Sequence, residues 1–274
     1  MSIIKGINHV NIRVCDVEKS IRFYCDGLGL TLKQRDDHNA IILTPDGVIL
    51  EISAGGTNQW DKGGITHVCF NTYDVDETFA RALEYGAVIS RPQDPEPYTY
   101  NDLRMAFVRT PSGEELEFWG IRKPDGSFGE PVTGGKYVKH FVHIALTVPD
   151  MYACVKFYEG LGAKLKVDWE WGCSMTLSDG REFELFTEGT PAGEPKAYSH
   201  MCLQTDDVDA ALEQVVSLGG QITHAAYDWS NLRIGFATGL AGETIEFFYL
   251  YQDGREPDVF DTPPAPLPDL FAKD

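Results

Sequence analysis

Four histidines and four glutamates recur at matched spacings along this 274-residue chain. His9 and His67 stand 58 residues apart, and His143 and His200 stand 57 apart. Glu51 follows His9 by 42 residues, as Glu184 follows His143 by 41. Glu117 follows His67 by 50, and Glu246 follows His200 by 46. Two imidazoles with two carboxylates suit a borderline divalent ion such as Ni, Zn, Co, Mn or Fe, one or two per chain. An octahedral ion held by four such ligands keeps two positions, which the neighbouring oxygens of a diol or enediolate can fill. For any one histidine the plain alternative is a packed or surface side chain. Here four of the seven histidines fall at equivalent positions, and glutamates sit inside otherwise apolar runs at 48–52 and 183–186. Buried carboxylates need partners.

The elements that must carry these residues repeat as well. Residues 9–17 (HVNIRVCDV) match 143–151 (HIALTVPDM), and residues 67–76 (HVCFNTYDVD) match 200–209 (HMCLQTDDVD). Phe23-Tyr24 precedes Gly27-Leu28-Gly29, and Phe157-Tyr158 precedes Gly160-Leu161-Gly162. The chain is therefore a duplication with a period of about 130 residues. Each half divides again. A strand opened by His9 or His67 leads to a helical pattern (17–24 or 75–85), a glycine stop and three short strands. The expectation is four βαβββ units, near 6–54, 64–120, 140–187 and 197–250. In such a unit the first and last strands lie close in a curled sheet, so one His and one Glu reach the same face. The pattern leaves open whether His9 and Glu51 face His67 and Glu117 or His200 and Glu246.

The domain reading is a first module over 1–122, a Gly/Pro-rich linker over 123–136, a second module over 137–251 and an acidic, proline-rich tail over 252–274. Acids outnumber bases 42 to 23, for a formal charge of −19. Nucleic acid and anionic membranes are poor partners for such a chain. No apolar run is long enough to span a bilayer. Six scattered cysteines without a C-x-x-C pair read as reduced thiols of a cytoplasmic protein.

These marks together resemble the vicinal oxygen chelate superfamily: the strand-opening His9, His67, His143 and His200, the Phe-Tyr helix exits, and the strand-closing Glu51, Glu117, Glu184 and Glu246. That superfamily includes glyoxalase I, bleomycin resistance proteins and extradiol dioxygenases. The resemblance covers nearly all of residues 6–250. It implies an α+β fold of two tandem glyoxalase-like modules with curled mixed sheets. It implies a metal-dependent, glyoxalase-like lyase or isomerase acting on a small substrate chelated through two adjacent oxygens, with an enediolate intermediate. The four-ligand sets look like glyoxalase I, with Glu117 or Glu246 as the base and Glu51 or Glu184 as its partner. An Fe(II) extradiol ring-cleaving dioxygenase and a non-catalytic small-molecule binding protein are the alternatives. Monomer and homodimer both stay open.

Five further residues are candidates for substrate binding. Arg13 alternates with His9 and Asn11 onto one strand face, and glyoxalase I is similar in having an arginine there. The second half has Thr147 instead. Arg104 and Arg233 each precede a closing glutamate by 13 residues and follow aromatic runs that contain Tyr100 and Trp229. Anion binding at each cup is the functional reading, and a structural ion pair is the plain one. Cys69 and Cys202, two residues after His67 and His200, read as small packed groups. Trp119, Trp171 and Trp229 fit either a pocket or a core, and Tyr24 and Tyr158 read as core.

Overall fold

The computed structural model describes residues 4–56, 64–72, 74–100, 103–121, 140–169, 171–187 and 198–251. The expected linker and tail lie outside the described residues. The first half runs β1 (Ile4–Val14), α1 (Val17–Ile21, continued by a π-helical stretch over Arg22–Gly27), β2 (Thr31–Arg35), β3 (Asn39–Leu43) and β4 (Ile49–Ala54). It repeats as β5 (Ile65–Thr72), α2 (Val75–Glu84), β6 (Val88–Ile89), β7 (Tyr98–Tyr100), β8 (Leu103–Arg109) and β9 (Glu115–Ile121). The second half runs β10 (His140–Thr147), α3 (Met151–Gly160), β11 (Lys164–Asp168), β12 (Gly172–Thr176) and β13 (Glu182–Phe186). It repeats as β14 (Tyr198–Gln204), α4 (Val208–Ser217), β15 (Gln221–Trp229), β16 (Leu232–Thr238) and β17 (Thr244–Leu250).

An aspartate caps every helix. Asp16, Asp74, Asp150 and Asp207 each accept a hydrogen bond from the backbone N–H three residues on. The Asp shared by the four repeated motifs is this cap, which satisfies one otherwise orphaned donor. At the far end of α2, Gly86 sits at φ +97°, a turn that a β-carbon would strain.

Each half forms one open mixed sheet, in the orders β2-β3-β4-β1-β5-β9-β8-β6 and β11-β12-β13-β10-β14-β17-β16-β15. The α+β expectation of two modules built from βαβββ units holds. At the centre of each sheet the opening strands of its two units pair antiparallel (β1 with β5, β10 with β14). Each opening strand also pairs parallel with the closing strand of its own unit. Antiparallel pairing brings the ligand strands of the two units together within each module, so the cups are not shared between modules.

Strand alternation sorts the side chains. Val10, Ile12 and Val14 join a large core that continues through both halves to Ile144, Leu146 and Phe183. His9, Asn11 and Arg13 face the other way, into the cup. Two tyrosines tie the halves together. The Tyr24 hydroxyl donates to Glu243, and the Tyr158 hydroxyl donates to Glu114 at 2.9 Å. Both tyrosines are buried as expected, but their polar tips reach across to the opposite half.

Candidate metal centres

Register places the first ligand set in two adjacent rows. His9 stands opposite Cys69, and Cys69 opposite Glu117. Glu51 stands opposite Asn11, and Asn11 opposite His67. The side chains converge. His9 Nε2 lies 3.2 Å from His67 Nε2, and Glu117 Oε2 lies 3.0 and 3.1 Å from them. An ion with ligand bonds of about 2.0–2.1 Å holds adjacent donors about 2.9 Å apart in an octahedron and about 3.4 Å apart in a tetrahedron. The triangle fits that span. Glu51 Oε2 stands just outside, 3.6 Å from His9 Nε2 and 3.9 Å from His67 Nε2.

The surrounding hydrogen bonds fix which nitrogen faces inward. Asn8 donates its amide to Asn71 and offers its Oδ1 to His9 Nδ1 at 2.9 Å, so that nitrogen carries the proton. Thr66 donates its hydroxyl to Asn11 Oδ1 at 2.6 Å, and His67 Nδ1 lies 3.3 Å from the same hydroxyl oxygen. Both Nε2 lone pairs and a carboxylate therefore point at one spot. That is a donor set built for a cation. Burial lowers the pKa of His9, but Glu117, by charge and hydrogen bond, and then Glu51 outweigh it and raise the value. Burial likewise pushes Glu117 up, yet His9 and His67 bring it down to about 2.

The second set repeats the geometry. His143 Nε2 lies 3.2 Å from His200 Nε2, and Glu246 Oε2 lies 3.3 and 3.0 Å from them. Glu184 Oε2 is 3.4 Å from His143 Nε2. Burial lowers His143, but Glu184 and Glu246 raise it to about 9. Glu246 is brought down to about 2 by both imidazoles against the effect of burial. Glu184 is raised, by burial first. The second set's surroundings differ from the first. Val142 and Ala145 stand where the first cup has Asn8 and Asn11. A cavity of about 480 Å³ opens over this set, walled by Trp169, Trp171, Phe186, Tyr227, Trp229 and Phe236 among others.

The eight expected ligands thus gather as two sets of four, one per module. The arginines behave differently. Leu103 and Met105 belong to the apolar cluster on the cup face, so Arg104 between them points to the helix side. There it pairs with Asp76 of α2 at 2.5 Å. Arg233, between the cup residues Leu232 and Ile234, pairs with Asp209 of α4 and with Asp228. The expectation that Arg104 and Arg233 bind substrate in the cups is corrected: strand alternation turns both away, and helix carboxylates neutralise them. Arg13 is on the cup face and exposed at the end of β1. Tyr100 is 64% exposed at the rim beside Tyr98, and Trp229 lines the second cavity. Trp119 packs edge-on to His9, 5.1 Å between centroids. Cys69 and Cys202 are buried thiols pushed well up by burial and by the nearby glutamates, so they stay protonated and packed.

Residues 6–118 and 140–247 match the family model of the glyoxalase/bleomycin resistance protein/dioxygenase superfamily. The chain belongs to that superfamily. As a member, it is 25% identical over 246 residues to a lactoylglutathione lyase of Arabidopsis thaliana, covering 80% of this chain and 81% of that one. A probable lactoylglutathione lyase of Synechocystis is 29% identical over 120 residues, 40% of this chain and 90% of its own. Among solved structures, the Mn(II)-bound glyoxalase of Novosphingobium aromaticivorans superposes with a TM-score of 0.66 at 19% identity, over 90% of this chain and 83% of that one. An extradiol ring-cleaving dioxygenase of B. fuscum superposes at 0.69 and 17% identity, over 93% and 75%. The superfamily's two-module fold is therefore shared with both kinds of enzyme. Among the described residues, no helix is long and apolar enough to cross a membrane.

Sequence reasoning overlooked several residues that shape this superfamily member's cups. Asn8, Asn71 and Thr66 support the first set, and Trp169 and Phe186 wall the second. Comparing the two halves position by position would have flagged Asn8, Trp169 and Phe186, which stand where the other half has Val142, Asp36 and Ser53, but not Thr66 and Asn71, whose counterparts Ser199 and Gln204 carry the same functional groups.

Proposed function

We propose that this chain is a metal-dependent lyase or isomerase that acts on a small substrate presenting two adjacent oxygens, of the hemithioacetal type. The observation that carries the reading is the convergence, in each module, of two imidazole Nε2 atoms and one carboxylate oxygen within 3.0–3.3 Å of one another, with a second carboxylate alongside. The lactoylglutathione lyase names of its relatives support it. His9, His67 and Glu117, and likewise His143, His200 and Glu246, would hold a Zn, Ni, Co, Mn or Fe ion, which would supply Lewis acidity toward the substrate oxygens.

The remaining chemistry belongs to the second carboxylates. Glu117 Oε2 lies between both imidazoles and is buried, so it is committed as a ligand. Glu51 comes no closer than 3.6 Å to an imidazole, has a side chain 31% exposed to the cup, and is steadied by Asn11 Nδ2 at 2.8 Å. A proton that moves between adjacent carbons needs a carboxylate free to take it and return it. Glu51 fits that role better than Glu117, and Glu184, which is buried and stands 3.4 Å from the His143 imidazole, takes it in the second cup by its equivalence to Glu51, the reverse of the assignment expected from sequence. Each cup is complete within one chain, so a monomer suffices.

A second reading, ring cleavage with iron, draws support from the aromatic wall of the second cup. Against it stands Glu184, a fourth donor beside the triad. Elemental mass spectrometry on protein purified without added metal tests the choice. Two divalent ions per chain, with hemithioacetal isomerisation that chelator removes and metal restores, is the expected result. Protein that refuses every added ion sinks the proposal, and iron near one per chain moves it to ring cleavage.

A further inference from the structure

We infer that the second cup takes a substrate whose two adjacent oxygens carry a planar aromatic group, which slots against a wall of stacked rings. This rests on reading the cup as a metal site and names the substrate class of that site. The wall is built by Trp169, Trp171 and Phe186. Their ring planes lie within 19° of parallel, with centroids 5.6 to 6.3 Å apart. Phe186 lies two residues beyond Glu184 on the same strand face, and its ring is 6.2 Å from that of His200. The three rings form a compact triangular cluster that reaches the ligand set through Phe186. Tyr227, Trp229 and Phe236, from the other unit of the module, line the opposite side.

Three observations separate a binding wall from a core. Trp171 is 45% exposed, and Tyr227 and Trp229 are 39% exposed, so large apolar surface is left open around one cavity. Such a patch marks a ligand site more often than a plain surface. The fold also does not require these rings. At the matched positions of the first cup stand Asp36 for Trp169, His38 for Trp171 and Ser53 for Phe186. Finally, among the described lining residues the charged groups are the ligands themselves, with no Lys or Arg to hold an anionic tail. A ring beside the chelating oxygens is what this cavity can recognise. Its volume, about 480 Å³, admits one aromatic ring with a short substituent.

The test compares two chelators that differ only in the ring, benzohydroxamate and acetohydroxamate, each titrated into the full chain loaded with Zn(II). Metal content is measured first. Benzohydroxamate is expected to bind about 10- to 100-fold tighter, with quenching of tryptophan fluorescence. The preference should survive His67→Ala and vanish in His200→Ala. In a Trp169→Ala/Trp171→Ala double variant it should shrink about tenfold while acetohydroxamate affinity stays unchanged, which also shows that the variant is folded. Equal affinities in metal-loaded protein overturn this inference alone and leave the proposed function standing. So does a preference that follows the first cup. A chain that takes no metal, or that loads metal and holds neither hydroxamate, overturns both.

Discussion

In the first cup, asparagines at 8 and 11 hold His9 and Glu51 by hydrogen bonds, and Asp36, His38 and Ser53 occupy the positions of the second cup's aromatic wall. In the second, valine and alanine replace the asparagines, and three near-parallel rings replace those three polar residues. Strand order and ligand identities are the same in both. The duplicated scaffold has kept the requirement for converging donors and varied everything around it. One copy braces its converging donors with asparagines. The other is shaped for what the ion would hold.

Removing a ligand is the strongest way to break the comparison. His67→Ala or Glu117→Gln should lower metal content from two ions per chain to one while leaving the second cup loaded. His200→Ala or Glu246→Gln should do the reverse. Loss of affinity at the altered cup should exceed the 10- to 100-fold typical of supporting groups. Elemental analysis after dialysis reads it. If either variant empties both cups, the two are not independent.

Replacing the second carboxylate of each cup comes next. Glu51→Gln and Glu184→Gln should keep the ion and lower kcat by about 10²–10⁴-fold for the substrate of that cup. Retained turnover in both would return the base to Glu117 or Glu246. The bracing asparagine is a smaller lever. Asn8→Val should weaken metal binding in the first cup by about tenfold and leave the second unchanged, and Val142→Asn should tighten the second. Competition with a chromogenic chelator measures both.

Acidity gives a fourth test. In the metal-free protein His143 is raised from 6.5 to about 9, so its stabilising contribution is full below about pH 6.5 and is lost as pH rises through 9. Glu246 is lowered from 4.5 to about 2, so its contribution is full above about pH 4.5 and is lost as pH falls through 2. The metal-free second cup should therefore add most to Tm between about pH 4.5 and 6.5. Metal must displace the proton on His143, so loading at pH 7 should release it. Calorimetry in buffers of different ionisation enthalpy detects that release, and its absence would show that His143 is neutral before loading. The smallest effect is at Arg104. Arg104→Ala should leave ligand affinity unchanged and cost about 0.2–1 kcal/mol for the lost exposed pair with Asp76, read by thermal melting.

Much of this was legible in the chain. The duplication, the four units, the helix exits and the gathering of the eight His and Glu side chains follow from repeat spacing, because backbone pairing forces equivalent residues to equivalent places. Which unit faces which was not legible. That depends on β1 choosing β5, and β10 choosing β14, by packing across residues far apart in sequence. Arg104 and Arg233 misled for a different reason. Spacing to a ligand was read without counting alternation along the strand, and one residue either way decides which face a side chain meets. The role of Asn8 was hidden because a side chain that bonds a ligand's far nitrogen leaves no periodic mark.

The crossed tyrosines have a consequence for how the chain can be cut. Tyr24 bonds Glu243 and Tyr158 bonds Glu114, while Arg181 from one half grips Asp46 of the other at 2.9 Å. Protease nicking between residues 122 and 139 would sever none of these links. The two fragments should stay together as a non-covalent pair, and separately expressed halves should find each other.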